Sequence, residues 1–186
     1  MVFDFFKKLL MSRQLTFERG QIKIAGEASI MVHGPALIRL TDTLIKIMGK
    51  KGINYIYLSS KEGGKSLGDA YKKKFLIKEV KLANLLKDLA EMGGWGEFSF
   101  IKIDSSNRSL ICNVNKSPFA ELTSLKGKKV CHMIRGFLAG GASVGFNEDL
   151  DCIETKCVAE GSSFCEFFIK TKKNFKEKKL VKEQLT

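Results

Sequence analysis

The sequence has few of the residues that several functional classes require. No stretch approaches the roughly 18 consecutive apolar residues of a membrane-spanning helix. His33 and His132 are the only histidines, so neither a Ser-His-acid nor a Cys-His arrangement can be assigned, and we predict no catalytic residue. The two prolines do not belong to any Pro- and Ser-rich linker, which favours one domain over several.

The cysteine pattern argues against a disulfide-stapled secreted protein. The five cysteines are odd in number and lack the spacing of such scaffolds. The stretch from Met1 to Leu10 is too short and, with Asp4 inside it, too charged for a secretory signal. We therefore expect a cytoplasmic protein, where thiols stay reduced and are available to a metal ion.

The net charge is +12, and much of the excess lies in a lysine-rich segment from Lys170 to Lys182. Lys72, Lys73 and Lys74 form a second run. A nucleic-acid-binding surface is one interpretation of such clusters. The chain has only five arginines and no stacking aromatics interleaved with the lysines, so we favour a solvated basic tail or helix instead.

The glycine-containing motifs do not predict nucleotide binding. Gly63-Gly64-Lys65-Ser66 lacks the first glycine of a phosphate-binding loop, and no nicotinamide or flavin fingerprint is present. Gly136 and Gly140 are one helical turn apart. We expect them to let their helix approach the sheet or to leave space for a ligand.

Hydrophobic periodicity predicts interspersed helices and hairpins, and hence an α+β domain with helices packed on an antiparallel sheet. A hairpin is expected around Arg19-Gly20, and a helix from Pro35 that ends at Gly52 and buries a stripe of apolar residues. The stripe is Leu37, Leu40, Leu44, Ile47 and Met48. The remaining expected elements are a strand Ile53–Leu58, helices Ser66–Phe75, Lys81–Met92 and Lys128–Gly141, and strands Glu97–Ile103, Ser109–Asn115, Asp151–Val158 and Phe164–Ile169.

The last hairpin carries the most informative residues of the chain. Cys157 and Cys165 flank Gly161 symmetrically, so they oppose each other with Cβ atoms about 4.5–5.5 Å apart. Two thiolates at that spacing can share a metal ion, since Zn–S bonds measure about 2.3 Å, or they can form a cross-strand disulfide. Glu154 is a third candidate ligand, but it lies an odd number of positions from Cys157, so a bulge or strand end must re-aim one of them.

The fourth ligand of such a site has two candidates on the preceding helix. Cys131 shares a face with apolar Ile134 and Leu138, whereas His132 lies on a more polar side with Arg135. Zinc accepts both residue types, and the helical geometry favours Cys131. A lone Cys131 would also be consistent with a small buried hydrophobe.

Three segments resemble the 4-vinyl reductase domain family. They are Gly136 to Gly141, Cys152 to Cys157 and Gly161 to Phe167. The family includes sensory domains of activators that respond to aromatic compounds, and it is related in fold to TRAPP vesicle-tethering subunits. The resemblance implies a zinc ion bound by Cys131, Glu154, Cys157 and Cys165, stapling the C-terminal helix to the hairpin. A zinc ion with four protein ligands has no open position and is usually structural. Cys152, on the same strand face as Glu154, is an alternative metal ligand.

The same resemblance implies a function and a domain division. Sensory relatives bind small apolar or aromatic molecules, and the corresponding pocket positions are Leu110, Gly141 and Cys152. The polar Trp and His donors of phenol sensors have no counterpart here, which leaves a hydrocarbon-like or lipid-like ligand open. The expected division is an N-terminal helical extension (1–12), a single domain of the 4-vinyl reductase type (13–171) and a basic tail (172–186).

Alternative functions remain from the sequence alone. The chain is also compatible with an enzyme or a non-catalytic subunit of tetrapyrrole vinyl reduction, or with a protein-interaction module like the tethering subunits. The absence of a redox-cofactor fingerprint means that a reductase would need a partner subunit. We also expect a homodimer, because the apolar residues Phe3, Phe6 and Leu10 have no evident place in a core.

Overall fold

Alternating residues at the start of the chain form a small antiparallel sheet. A computed structural model describes residue 7 and residues 9–185. Strands β1 (Leu15–Glu18) and β2 (Gln21–Ile24) form the predicted hairpin, and Gly20 takes the positive φ of +72° that its turn requires. A third strand, β3 (Glu27–Ser29), pairs with β2 and was not predicted. Phe3 and Phe6 lie outside the described residues.

Two long helices follow, and their boundary differs from the prediction. Helix α1 (Gly34–Met48) begins with Pro35 in its first turn and ends at Gly49; helix α2 (Lys50–Phe75) begins immediately after. The predicted strand Ile53–Leu58 is wrong, because these residues lie within α2. Gly52 does not end a helix but packs inside α2 against the backbone of Leu44, where any side chain would collide.

The predicted buried stripe of α1 is also wrong in its phase. Leu40 is 57% exposed and Ile47 is 77% exposed, whereas Ile38 and Asp42 are buried. The Asp42 carboxylate accepts hydrogen bonds from the Thr123 hydroxyl at 2.7 Å and from the Ser124 backbone N–H at 2.7 Å. The side of α1 that faces the core thus carries Ile38 and a hydrogen-bonded Asp42, while Leu40 and Ile47 lie at the surface.

The second half of the chain forms the main sheet and the remaining helices. Helix α3 (Glu79–Met92) buries Leu82 and Leu86 as its amphipathic pattern predicts. The elements that follow are β4 (Glu97–Asp104), β5 (Ser109–Asn115), α4 (Pro118–Glu121), α5 (His132–Phe146), β6 (Asp151–Lys156), β7 (Cys165–Lys170) and α6 (Lys178–Gln184). The strands form an antiparallel sheet in the order β4-β5-β7-β6, which confirms the α+β class.

Helices α2 and α5 pack unusually closely because glycines line their contact. A Cβ on Gly136 or Gly140 would overlap the carbonyl oxygens of Tyr57 and Lys61 in α2, and a Cβ on Gly64 would lie 2.6 Å from the carbonyl oxygen of Phe137. The prediction that Gly136 and Gly140 face the sheet or a ligand is therefore wrong. They let one helix backbone approach another.

The chain beyond residue 171 contributes to the core in spite of its lysines. Phe175 is 1% exposed and Gln184 is 5% exposed, and α6 packs against β6. Among the described helices, none combines the length and the apolar character that crossing a membrane requires.

Candidate metal centre

Four separate points of the fold bring the predicted metal ligands together. Cys131 occupies the position just before α5, Glu154 lies in β6, Cys157 follows β6, and Cys165 begins β7. All four residues are fully buried. One ligand atom from each lies within 4.8 Å of the others, which is the arrangement of a four-ligand metal site.

A bulge in β6 resolves the odd spacing between Glu154 and Cys157. Glu154 pairs with Phe167, whereas Lys156 pairs with Glu166, so the register shifts by one residue at Thr155. The extra residue re-aims the strand. Glu154 and Cys157 can then face the same point, as the sequence argument required.

The sulfur positions suit a tetrahedral ion and not a disulfide. The Sγ of Cys165 lies 3.7 Å from that of Cys131 and 4.0 Å from that of Cys157. A tetrahedron with Zn–S bonds of about 2.3 Å has sulfur-to-sulfur edges of about 3.8 Å. All five cysteines are free, so the alternative of a Cys157–Cys165 disulfide does not occur in the structure.

Backbone and hydroxyl groups surround the ligands in a way that suits an anionic centre. The backbone N–H of Cys131 donates to Oε2 of Glu154 at 3.2 Å, and that of Val158 donates to the Cys165 sulfur at 3.4 Å. The Ser117 hydroxyl lies 3.8 Å from the Cys131 sulfur. Oε1 of Glu154 is buried and has no partner among the described residues, and a metal ion would supply one.

The protonation of the cluster depends on its burial. Burial raises the pKa of Glu154 and of the Cys131 thiol well above their ordinary values. Hydrogen bonds from Cys131 and Cys157 lower the pKa of Cys165 to about 5. Thiolates and carboxylates are the forms that bind a metal, so binding a cation releases the protons that these groups hold.

His132 and Cys152 are both buried but neither joins the cluster. His132 is only 3% exposed, and its Nδ1 lies 3.2 Å from the Arg135 guanidinium. His132 does lie on the same side as Arg135, as expected, but this side is not exposed, since Arg135 itself is fully buried. Cys152 pairs with Ile169, and its thiol donates to the Ile153 carbonyl at 3.9 Å.

Two of the three predicted pocket residues meet at an apolar cavity. Leu110 and Gly141 line a cavity of about 30 Å³ between α3, α5 and the sheet, whereas Cys152 is not part of its wall. Three phenylalanines and several aliphatic residues form the rest of the lining, and Lys87 is its one charged member. The Lys87 ammonium is paired with Asp88 at 2.8 Å and with Glu91 at 3.2 Å, which leaves the cavity itself apolar.

A larger groove was not found from the sequence. It has a volume of about 560 Å³ and lies between α1, α2 and α5, with Trp95 at its side. Its walls include Leu37, Leu40 and Leu44. The sequence showed that these residues form one apolar face of a helix. We expected that face to lie in the core, whereas it lines this groove.

Comparisons with known proteins agree with the fold. Residues 110–171 match the model of the 4-vinyl reductase domain family, which confirms the resemblance over that region. The phenol-responsive sensory domain of the transcription activator PoxR, solved with phenol, has a TM-score of 0.75 and 17% identity, covering 95% of each chain. A vinyl-4-reductase family protein from Methanocaldococcus jannaschii has a TM-score of 0.52 and 20% identity, over 76% of this chain and 83% of its own.

A trafficking protein particle complex subunit 3 from Naegleria fowleri, covalently bound to palmitic acid, is a third structural relative. Its TM-score is 0.51 at 15% identity, over 74% of this chain and 93% of its own. None of the curated proteins compared with the chain matches it significantly. At these identities the three structures show a shared fold.

Proposed function

We propose that this chain is a small-molecule-binding domain of the sensor type, built around a structural zinc site. The observation that carries the proposal is the buried cluster of three cysteines and one glutamate at the start of α5. The same helix lines the apolar cavity with Gly141 near its other end. The metal would thus anchor the helix that forms one wall of the ligand site.

Zinc is the ion that suits these ligands best. Thiolates select soft or borderline ions such as zinc, and the spacing of the sulfurs fits Zn–S bonds of about 2.3 Å. Cys131, Glu154, Cys157 and Cys165 would fill all four positions and leave none for a reacting water. The ion would supply cross-linking between α5 and the β6–β7 hairpin, and not catalysis.

The lining of the cavity suits an uncharged apolar ligand. Phe98, Phe100 and Leu110 contribute rings and methyl groups, and the one cation nearby is already paired. A cavity that accepts benzene measures about 150 Å³, whereas this one measures about 30 Å³. An aromatic or hydrocarbon ligand would therefore enter with displacement of a wall residue, and the PoxR domain solved with phenol is a precedent for a small aromatic in this fold.

Metal analysis and ligand-induced stabilisation test the proposal. Protein purified under reducing conditions should contain about one zinc per chain, and native mass spectrometry should detect any co-purified small molecule. Toluene or xylene should raise the melting temperature of the protein. Ala142→Leu, which fills the cavity, should abolish that rise, whereas Ala36→Leu on an exposed part of α1 should leave it unchanged. Zinc-free protein, or equal ligand effects in both variants, would contradict the proposal.

A second candidate function, a protein-interaction module, is favoured by the apolar groove. Leu40 and Tyr55 at the groove are each 57% exposed, and such a surface is typical of contacts between chains. We propose a homodimer on this ground and on the exposure of Leu10, which is 42%. The oligomeric state is tested by light scattering as described in the Discussion.

A further inference from the structure

Arg135 is a fully buried cation beside the metal centre. It lies one helical turn after Cys131 on α5 and is 0% exposed. One guanidinium nitrogen donates to the carbonyl oxygens of Cys152 at 3.2 Å and Gln184 at 3.1 Å. The group also lies 4.6 Å from the centre of the Tyr57 ring, which is a favourable position for a cation over an aromatic face.

None of these contacts neutralises the charge of Arg135. No carboxylate of a described residue forms an ion pair with it, and its Nε has no hydrogen-bond partner within the described chain. Lys61, the buried cation of the neighbouring helix, is different, because Asp151 lies 2.8 Å and Asp149 3.1 Å from its ammonium. A buried charge without a partner is strongly unfavourable, so Arg135 calls for an anion.

The proposed metal centre has the missing charge. A divalent ion bound by three thiolates and one carboxylate leaves a dianionic site, because the four anionic ligands outweigh the charge of the ion. This dianion would itself be buried and would need a compensating cation. The backbone places Arg135 next to these ligands, because its N–H donates to the carbonyl of Cys131 at 2.9 Å and its guanidinium donates to the carbonyl of Cys152, two residues before Glu154 in β6.

We propose that Arg135 is the buried counter-charge of the metal centre, and that it sets the affinity for a divalent ion by halving the net charge of the loaded site. This inference rests on the proposed zinc site. It assigns Arg135 a positioning role, since the residue does not contact the metal. It also explains why an arginine, and not a neutral donor, satisfies the carbonyls of Cys152 and Gln184.

Charge and hydrogen bonding can be separated by two substitutions. Arg135→Gln keeps a donor for the carbonyls but removes the charge, whereas Arg135→Lys keeps the charge. Zinc affinity is measured by competition with a chromophoric chelator, and cobalt(II) binding by its thiolate charge-transfer absorption. Because folding and metal binding are linked, circular dichroism during zinc titration yields an apparent affinity even for a variant that is unfolded without metal.

The expected result is a loss of zinc affinity in Arg135→Gln of about 10–100-fold, the range known for groups behind the ligands, with most of the affinity retained in Arg135→Lys. Lys61→Met is the matched control. It removes a buried cation that has its own carboxylates, so it should lower stability without weakening zinc binding to the folded protein.

Equal zinc affinity in Arg135→Gln and the unchanged protein would overturn the inference. Equal losses of zinc affinity in Arg135→Gln and Arg135→Lys would also overturn it, because they would indicate a structural role alone. Failure of the unchanged protein to bind zinc is a separate outcome. It would remove the metal centre itself, and the role of Arg135 with it.

Discussion

Replacing Gly140 by alanine tests whether the close contact between α2 and α5 holds the fold together. The added Cβ would overlap the carbonyl oxygen of Lys61 and lie 2.7 Å from the backbone nitrogen of Lys65. Both atoms belong to the backbone of α2, so no side-chain rotation can relieve the overlap. One helix must move away from the other.

Two opposing effects determine how much Gly140→Ala changes the free energy of unfolding. Alanine in a helix interior is more favourable than glycine by about 0.5–1 kcal/mol. Overpacking a core costs about 1–3 kcal/mol and more where the backbone must shift. The gain offsets part of the cost, so we expect Gly140→Ala to lower the free energy of unfolding by up to about 2.5 kcal/mol. For a domain of this size, a loss of about 2 kcal/mol lowers the melting temperature by roughly 4–8 °C.

Gly145→Ala on the same helix is the matched control. Its Cβ would lie 3.7 Å from the nearest atom, the Cα of Glu79, which is an ordinary contact. We expect this variant to gain about 0.5–1 kcal/mol. Urea unfolding followed by circular dichroism, at one fixed zinc concentration, measures both variants. Equal stability of the two would refute the packing argument.

Three further predictions concern the metal site, its buried neighbour and the oligomeric state. Cys165→Ser should lose the bound zinc and lower the melting temperature because zinc favours thiolate over hydroxyl, whereas Cys152→Ser should keep zinc. Metal analysis that shows the reverse would contradict the ligand assignment. His132→Ala should lower the free energy of unfolding by about 1–3 kcal/mol because it empties a buried, hydrogen-bonded position. His33→Ala, at an exposed position, should leave that free energy unchanged. Urea unfolding measures both variants, and equal stability would contradict the prediction. Light scattering should find a dimer for the full chain and a weaker one for a chain that starts at Ser12; a monomer in both would remove the dimer proposal.

Two features of the candidate metal centre were predictable because local geometry determines them. The symmetric placement of Cys157 and Cys165 about Gly161 fixes their opposition in a hairpin, and the odd spacing from Glu154 requires the bulge that the structure has at Thr155. Each inference depends only on strand periodicity. The full set of four, with Cys131 just before α5, came from the resemblance to the 4-vinyl reductase domain family.

Helix α2 was mispredicted because packing against distant residues overrides local preference. Ile53 to Leu58 has the branched and aromatic content of a strand, and Gly52 resembles a helix stop. Gly52 is instead the place where α2 meets the backbone of Leu44, and Gly64 is where it meets Phe137. These glycines are explained by partner helices, which the local sequence does not reveal.

The prediction for His132 was incomplete for a different reason. The predicted helix began at Lys128, but α5 begins at His132 and leaves Cys131 at the position just before it. The helical wheel places His132 beside Arg135 correctly, but it does not show that this side of α5 is buried. On that side Arg135 reaches Gln184 of the lysine-rich α6, a contact that no local pattern near His132 reveals.

The outer edge of β6 is closed by side chains. Tyr57 accepts the Cys152 N–H at 3.2 Å, and Arg135 donates to the Cys152 carbonyl. The amide of Gln184 binds both the N–H and the carbonyl of Glu154, each at 2.9 Å. A bare edge strand would be a template for a strand from another chain, and here its hydrogen-bonding groups are already used. Strand addition is therefore blocked at Cys152 and Glu154 of β6, which leaves β4 as the other edge of this four-stranded sheet.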